Sequence, residues 1–61
     1  MKKYMLIIID DEGDQTAVFT DEVDEAMNTR MNAECGMGYQ VELYSREKDE
    51  DGLESYQLLM S

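Results

Sequence analysis

The chain has 61 residues, 43% of them hydrophobic, and carries 15 acidic against five basic side chains with no histidine, a formal charge of −10. That length allows one small domain, and the apolar fraction is that of a folded chain rather than a disordered one. The charge argues against direct nucleic-acid binding, which sets lysine and arginine against phosphates, and against anionic membrane surfaces; it favours basic proteins or cations as partners.

Met1-Lys2-Lys3 with the apolar run Tyr4 to Ile9 resembles the start of a signal peptide, but the run has only six residues and acids follow at once. That is short of a signal core of about 7–15 residues and far short of a bilayer span. Continuous and β-branched, the run reads instead as a central strand, apolar on both faces. Asp10-Asp11-Glu12-Gly13-Asp14 reads as a turn, and Gln15 to Phe19 as a returning strand. Thr20 or Asp21 is positioned to cap a helix whose first turns hold Asp21, Glu22, Asp24 and Glu25, where the helix dipole favours negative charge. Val23, Ala26, Met27, Arg30 and Met31 follow helical spacing and mark its expected inner face. Gly36 and Gly38 are expected to stop the helix, with Gly36 as the left-handed residue after it. Tyr39 to Arg46 alternates apolar and polar, as a half-buried strand does. A charged turn over residues 47–52 and a last strand to Met60 complete the chain.

The expected fold is α+β, one domain over residues 1–61, with strands about 3–10, 15–19, 38–46 and 53–60 and a helix about 21–35. Two hairpins and a return helix give a four-stranded antiparallel sheet in the order 2-1-3-4, with the helix on one face. Leu6, Ile8, Val18, Val23, Met27, Met31, Val41, Leu43 and Leu58 form the expected core, or the first strand takes the alternate register with its odd-numbered residues inward. One helix covers one face, so Met5, Ile7 and Ile9 are left on the other, joined by Tyr44, Leu59 and Phe19 or Ala17. Apolar patches of this kind mark interfaces, so Met5, Ile7, Ile9, Tyr44 and Leu59 are the candidate contact residues for a second copy or another protein.

The chemistry-bearing motifs are few. Residues 6–12, Leu-Ile-Ile-Ile-Asp-Asp-Glu, resemble the opening of a two-component receiver domain, and the resemblance implies a magnesium-holding acidic pair at Asp10 and Asp11. A receiver starts a helix at the next segment, where Gly13 to Phe19 reads as turn and strand, and the family's later aspartate, threonine and lysine have no place in these 61 residues. Two adjacent carboxylates alone bind magnesium weakly, so no metal site is assigned. Glu47, Asp49, Asp51 and Gly52 match the first, third, fifth and sixth positions of an EF-hand loop, but the twelfth, which must be a bidentate glutamate, is Leu58. No cofactor is implied. Cys35 is the only cysteine, which excludes an internal disulfide and fits a reducing, cytoplasmic setting. With Glu34 beside it and the end of the helix nearby, it reads as a packing residue rather than a nucleophile. Met27 and Met31 read as core rather than as soft-metal ligands. Without histidine or a deep pocket, no enzyme is expected.

The acids fall into clusters at residues 10–14, 21–25 and 47–54, with Asp10, Asp11, Asp14, Asp21, Glu25, Asp49, Glu50 and Asp51 as candidate members of an acidic binding surface. Two functions are compatible with this pattern. One is a small non-enzymatic interaction or accessory protein, self-associating as a homodimer or bound to a basic partner. The other is a nucleic-acid mimic whose carboxylates stand in for phosphates; in size, acidity and lack of catalytic residues the chain resembles phage-encoded anti-restriction and anti-CRISPR proteins in general character.

Overall fold

The computed structural model describes residues 1–60. The chain runs β1 (Tyr4–Ile9), β2 (Gln15–Thr20), α1 (Val23–Met31), a π-helical turn (Asn32–Gly36), β3 (Gln40–Lys48) and β4 (Glu54–Met60). All strand pairs are antiparallel, and the sheet order is β2-β1-β3-β4. This is the expected α+β architecture, with β1 in the interior of the sheet.

Register determines which side chains share a face. Leu6 lies opposite Val18 on β2 and Leu43 on β3, while Ile8 lies opposite Thr16 and Val41. Leu6, Val41 and Leu43 are buried, and they meet Ala26 and Ala33 of the helical segment. Tyr4, Ile8, Val18 and Tyr39 pack around this centre, half-buried. The odd-numbered residues of β1 face away from the helix.

The helix corrects the expected core. Val23 is 52% exposed, Met31 is 59% exposed, and Met27 is also exposed. The face turned to the sheet is Ala26, Thr29, Arg30 and Ala33. At about 100° per residue this is roughly a quarter turn from the stripe that hydrophobicity selects. Alanine has no bulk beyond Cβ, so it lets the helix axis approach the sheet closely, and Leu6, Val41 and Leu43 fill the space between. Leu58, also expected inside, is exposed at the edge of the sheet.

The helix ends differ too. Glu22 occupies the N-cap position without a side-chain cap bond. The Thr20 hydroxyl instead accepts the Glu22 amide at 3.1 Å, and Asp21 turns back to the sheet. After Met31 the chain widens into the π turn, and the amide of Tyr39 donates to the carbonyl of Ala33 at 3.0 Å. Gly36 remains within the helical segment; the left-handed residue is Gly38, at φ 73°. Cys35, expected to pack half-buried, is exposed.

The β3–β4 hairpin extends past the start of β1 and coils strongly, as two-stranded ribbons do. β1 pairs with residues 40–45 of β3, whereas β4 pairs with residues 43–48. The coil brings the two outer strands together at one end, where the rings of Phe19 and Tyr56 lie 6.0 Å apart. It also clamps the N-terminal segment: the Tyr56 hydroxyl donates to Lys2 O at 2.8 Å, and Arg46 Nη1 donates to Met1 O at 2.7 Å.

These contacts predict a sharp contrast in urea unfolding. Leu6→Ala, at a fully buried site, should cost about 2–5 kcal/mol, enough to unfold much of a domain of this size. Met31→Gln, at an exposed helical site, should fall within about 0.5 kcal/mol of wild type.

Candidate functional site

Two surfaces hold the residues of interest: the open face of the sheet and the acidic turns. On the open face, Ile7 lies between Ala17 and Glu42, Met5 between Phe19 and Tyr44, and Ile9 between Gln15 and Gln40. The sequence-derived set Met5, Ile7, Ile9 and Tyr44 is thus brought together on one face, with Phe19 and Ala17 beside it. Leu59 is not part of this ladder. It stands at a β-bulge between Leu58, which pairs with Tyr44, and Met60, which pairs with Leu43. The bulge transfers the open-face position to Leu58, and alternation along β4 carries no sign of where such an extra residue falls.

Glu42 was not singled out by the sequence, because in an alternating strand it reads as an ordinary outward polar residue. The register places it on the open face beside Ile7, where it is half-buried. The Tyr44 hydroxyl donates to Glu42 Oε1 at 3.2 Å. Partial burial of the ring, and secondarily the Glu42 carboxylate, pushes the Tyr44 hydroxyl above its ordinary titration range. Among the described residues no base lies within ion-pair distance of Glu42.

The two acidic turns share one construction. In the first, Asp10 N donates to Asp14 O and Gly13 N donates to Asp10 O, both at 3.0 Å. The Asp10 carboxylate accepts the amides of Glu12 and Asp14, both at 2.9 Å. In the second, Asp49 N donates to Leu53 O at 3.0 Å and Gly52 N to Asp49 O at 3.1 Å. The Asp49 carboxylate accepts the amides of Asp51 and Leu53, both at 2.9 Å. Gly13 and Gly52 take φ 86° and 81°, as a three-residue hairpin loop with a left-handed third residue requires. Asp10 and Asp49 are therefore engaged in organising backbone. Asp11, Asp14, Glu50 and Asp51 are exposed around them. Among the described residues, no group of three or more acidic or cysteine side chains is arranged to hold a metal ion.

Asp21 anchors the other end of the sheet. Its carboxylate accepts the Lys3 amide at 2.9 Å and lies 3.3 Å from Lys2 Nζ. The backbone hydrogen bond from Lys3 is the largest influence holding this carboxyl below its usual value, with Lys2 adding to it. Glu25 is exposed on the first turn of α1.

The topology divides the acids between two ends of a molecule measuring 39 × 23 × 16 Å. The 10–14 turn sits at the Ile9 end of β1, whereas residues 21–25 and the 47–54 turn sit at the Tyr4 end. Lys2, Lys3, Arg46 and Lys48 also lie at the Tyr4 end, as the register and the ion pairs of Lys2 with Asp21 and Arg46 with Glu54 place them. Two shallow concavities flank the sheet. One groove of about 340 Å³ runs between Ile8, Thr16, Thr29, Asn32, Ala33, Met37 and Tyr39. Another, of about 350 Å³, is bordered by Glu34, Tyr39, Gln40, Val41 and Glu42. No described helix is long and apolar enough to cross a membrane.

Comparison with protein-family models, with characterised proteins and with solved structures finds no match to this chain. The class that fold and surface define is a small α+β domain with one uncovered sheet face.

Two predictions follow from the turns and from Asp21. Gly13→Ala and Asp49→Ala should each lower stability by about 1 kcal/mol in urea titrations, the first by forcing a side chain into left-handed backbone and the second by releasing two amides. Asp49→Asn, which keeps the accepting oxygen, should cost less. For Asp21, the folded carboxyl titrates below its ordinary value of 3.8. Its contribution is then complete above the unfolded value and fades as pH falls through the lower folded one. The stability gap between wild type and Asp21→Asn should accordingly be constant at neutral pH and shrink below 3.8, as followed by circular dichroism during acid titration.

Proposed function

We propose that this protein is a non-enzymatic interaction module that binds another protein surface, a second copy or a basic partner, through the open face of its sheet. The observation that carries this reading is that no helix covers one side of an interior strand: Met5, Ile7 and Ile9 face away from the helix and are only half-buried, with half-buried Tyr44 and exposed Phe19 and Leu58 around them. Contiguous apolar area of this kind on a small protein favours contact with another surface. The chain has no histidine, and neither shallow groove pairs a nucleophile with a base, which supports a role without catalysis. The single free thiol fits a reducing, cytoplasmic setting.

The acidic surface supports the nucleic-acid mimic less well. A mimic needs carboxylates in a row that follows a phosphate backbone, whereas these acids gather at opposite ends, and Asp10, Asp49 and Asp21 are engaged in local hydrogen bonds.

The test is Ile7→Thr, which keeps a β-branched residue on the interior strand but removes apolar surface. Wild type and variant are compared by sedimentation equilibrium over a wide concentration range and as baits in extracts of the source cell, with circular dichroism confirming the fold. The reading expects an association made by wild type, with itself or with a specific protein, that weakens at least about tenfold in the variant. A wild type that stays monomeric and captures only what Ile7→Thr also captures overturns it.

A further inference from the structure

The open face is not uniformly apolar. Its one carboxylate beside the interior strand is Glu42, next to Ile7, half-buried, hydrogen-bonded by the Tyr44 hydroxyl and without a described base in reach. The nearest bases on this face are two rows away, beyond Tyr44, and Arg46 there is engaged by Met1 O and by Glu54 at 3.8 Å. A surface that covers Ile7 also strips water from Glu42. An ionised carboxylate left with the single Tyr44 hydrogen bond as it loses water incurs a large desolvation cost or is protonated instead. An occupant that brings a cation to that point replaces the lost water and avoids that cost.

We infer that the open face is built for a basic partner that seats an arginine-like, planar cation on Glu42 while its apolar part covers Ile7 and Tyr44. This rests on the interaction reading above and selects between its two occupants. A second copy is disfavoured: it would set a charge of −10 against another of −10 and place a carboxylate, not a cation, at the equivalent position of its own face. A planar guanidinium fits better than an ammonium, because it hydrogen-bonds a carboxylate through its edge while its faces lie against apolar and aromatic side chains.

The probe is benzamidinium, an apolar ring bearing a planar cation, titrated against the whole chain at moderate salt and followed by amide chemical shifts. The neutral isostere benzamide and the apolar-free cation methylguanidinium serve as controls. Benzamidinium should give saturable shifts centred on Ile7, Glu42 and Tyr44, and Glu42→Gln, which still accepts the Tyr44 hydroxyl, should weaken them about fivefold. Benzamide should give none there, and methylguanidinium only small shifts spread over the acidic turns. Benzamidinium shifts that follow the acidic turns, or that survive Glu42→Gln unchanged, overturn the inference. So does a wild-type dimer that tightens with salt and is indifferent to Glu42→Gln, because the occupant is then a second copy. In that case the Ile7→Thr effect persists and the open face remains a binding surface, so the two failures are told apart.

Discussion

Strand β1 is apolar on both sides, and the chain has one helix with which to cover it. From this the rest of the structure follows. Both edges of β1 are used, by β2 and by β3, so its backbone groups are satisfied and it becomes an interior strand. The even side, Leu6 above all, is buried beneath Ala26 and Ala33. The odd side has no second layer. The coil of the β3–β4 hairpin closes part of it, bringing Tyr56 from the far edge against Phe19 and engaging the N-terminal backbone. What remains open lies around Ile7, Ile9 and Tyr44, and that residue of uncovered surface is where the functional reading comes from.

The architecture was legible because its signals are backbone signals. The Asp-x-x-Gly turns at Asp10–Gly13 and Asp49–Gly52 mark hairpins by their chemistry, and two hairpins joined by a helix leave little freedom of sheet order. The alternation of Val41, Glu42 and Leu43 gave the correct faces for β3. The helix rotation was not legible, because hydrophobicity ranks Val23, Met27 and Met31 above Ala26 and Ala33. Close approach of a helix to a sheet selects the smallest side chains instead, and a sequence pattern does not record that distance. Nor did it record the π turn after Met31, which moved the left-handed glycine from Gly36 to Gly38. The site was read in the same proportion. Alternation grouped Met5, Ile7 and Ile9 on one side of β1, but an all-apolar run left open which side faces the helix; Leu59 was misplaced by a bulge, and Glu42 became visible only through its cross-strand neighbour.

The charge is easier to understand once its positions are known. Aspartate begins each hairpin loop because its carboxylate reaches two amides that the loop leaves free, and acids open the helix because its first turn has unpaired N–H groups. Much of the acidity is thus the local chemistry of three chain reversals repeated in a short sequence. Where acids and bases meet, at the Tyr4 end, Lys2 and Arg46 fasten Asp21 and Glu54. Pairs that are exposed, like Lys2–Asp21, or half-exposed, like Arg46–Glu54, contribute little each, so the surplus negative charge is a net cost to the folded state rather than a source of stability.

That cost has a physical consequence for the apolar surfaces. The open sheet face and the exposed helix stripe of Val23, Met27 and Met31 would both favour association between copies if the protein were neutral. At −10, each approach of one copy to another meets repulsion that extends over roughly a Debye length, about 8 Å at physiological salt. A basic surface approaching the same face meets attraction over the same range. On the proposed reading the charge would act as a filter in front of non-selective apolar contacts, favouring the approach of basic surfaces without forming the contact itself. Under the proposed basic-partner reading Glu42 extends the same preference to contact distance, where a cation is the strongest replacement for the water that an incoming surface removes.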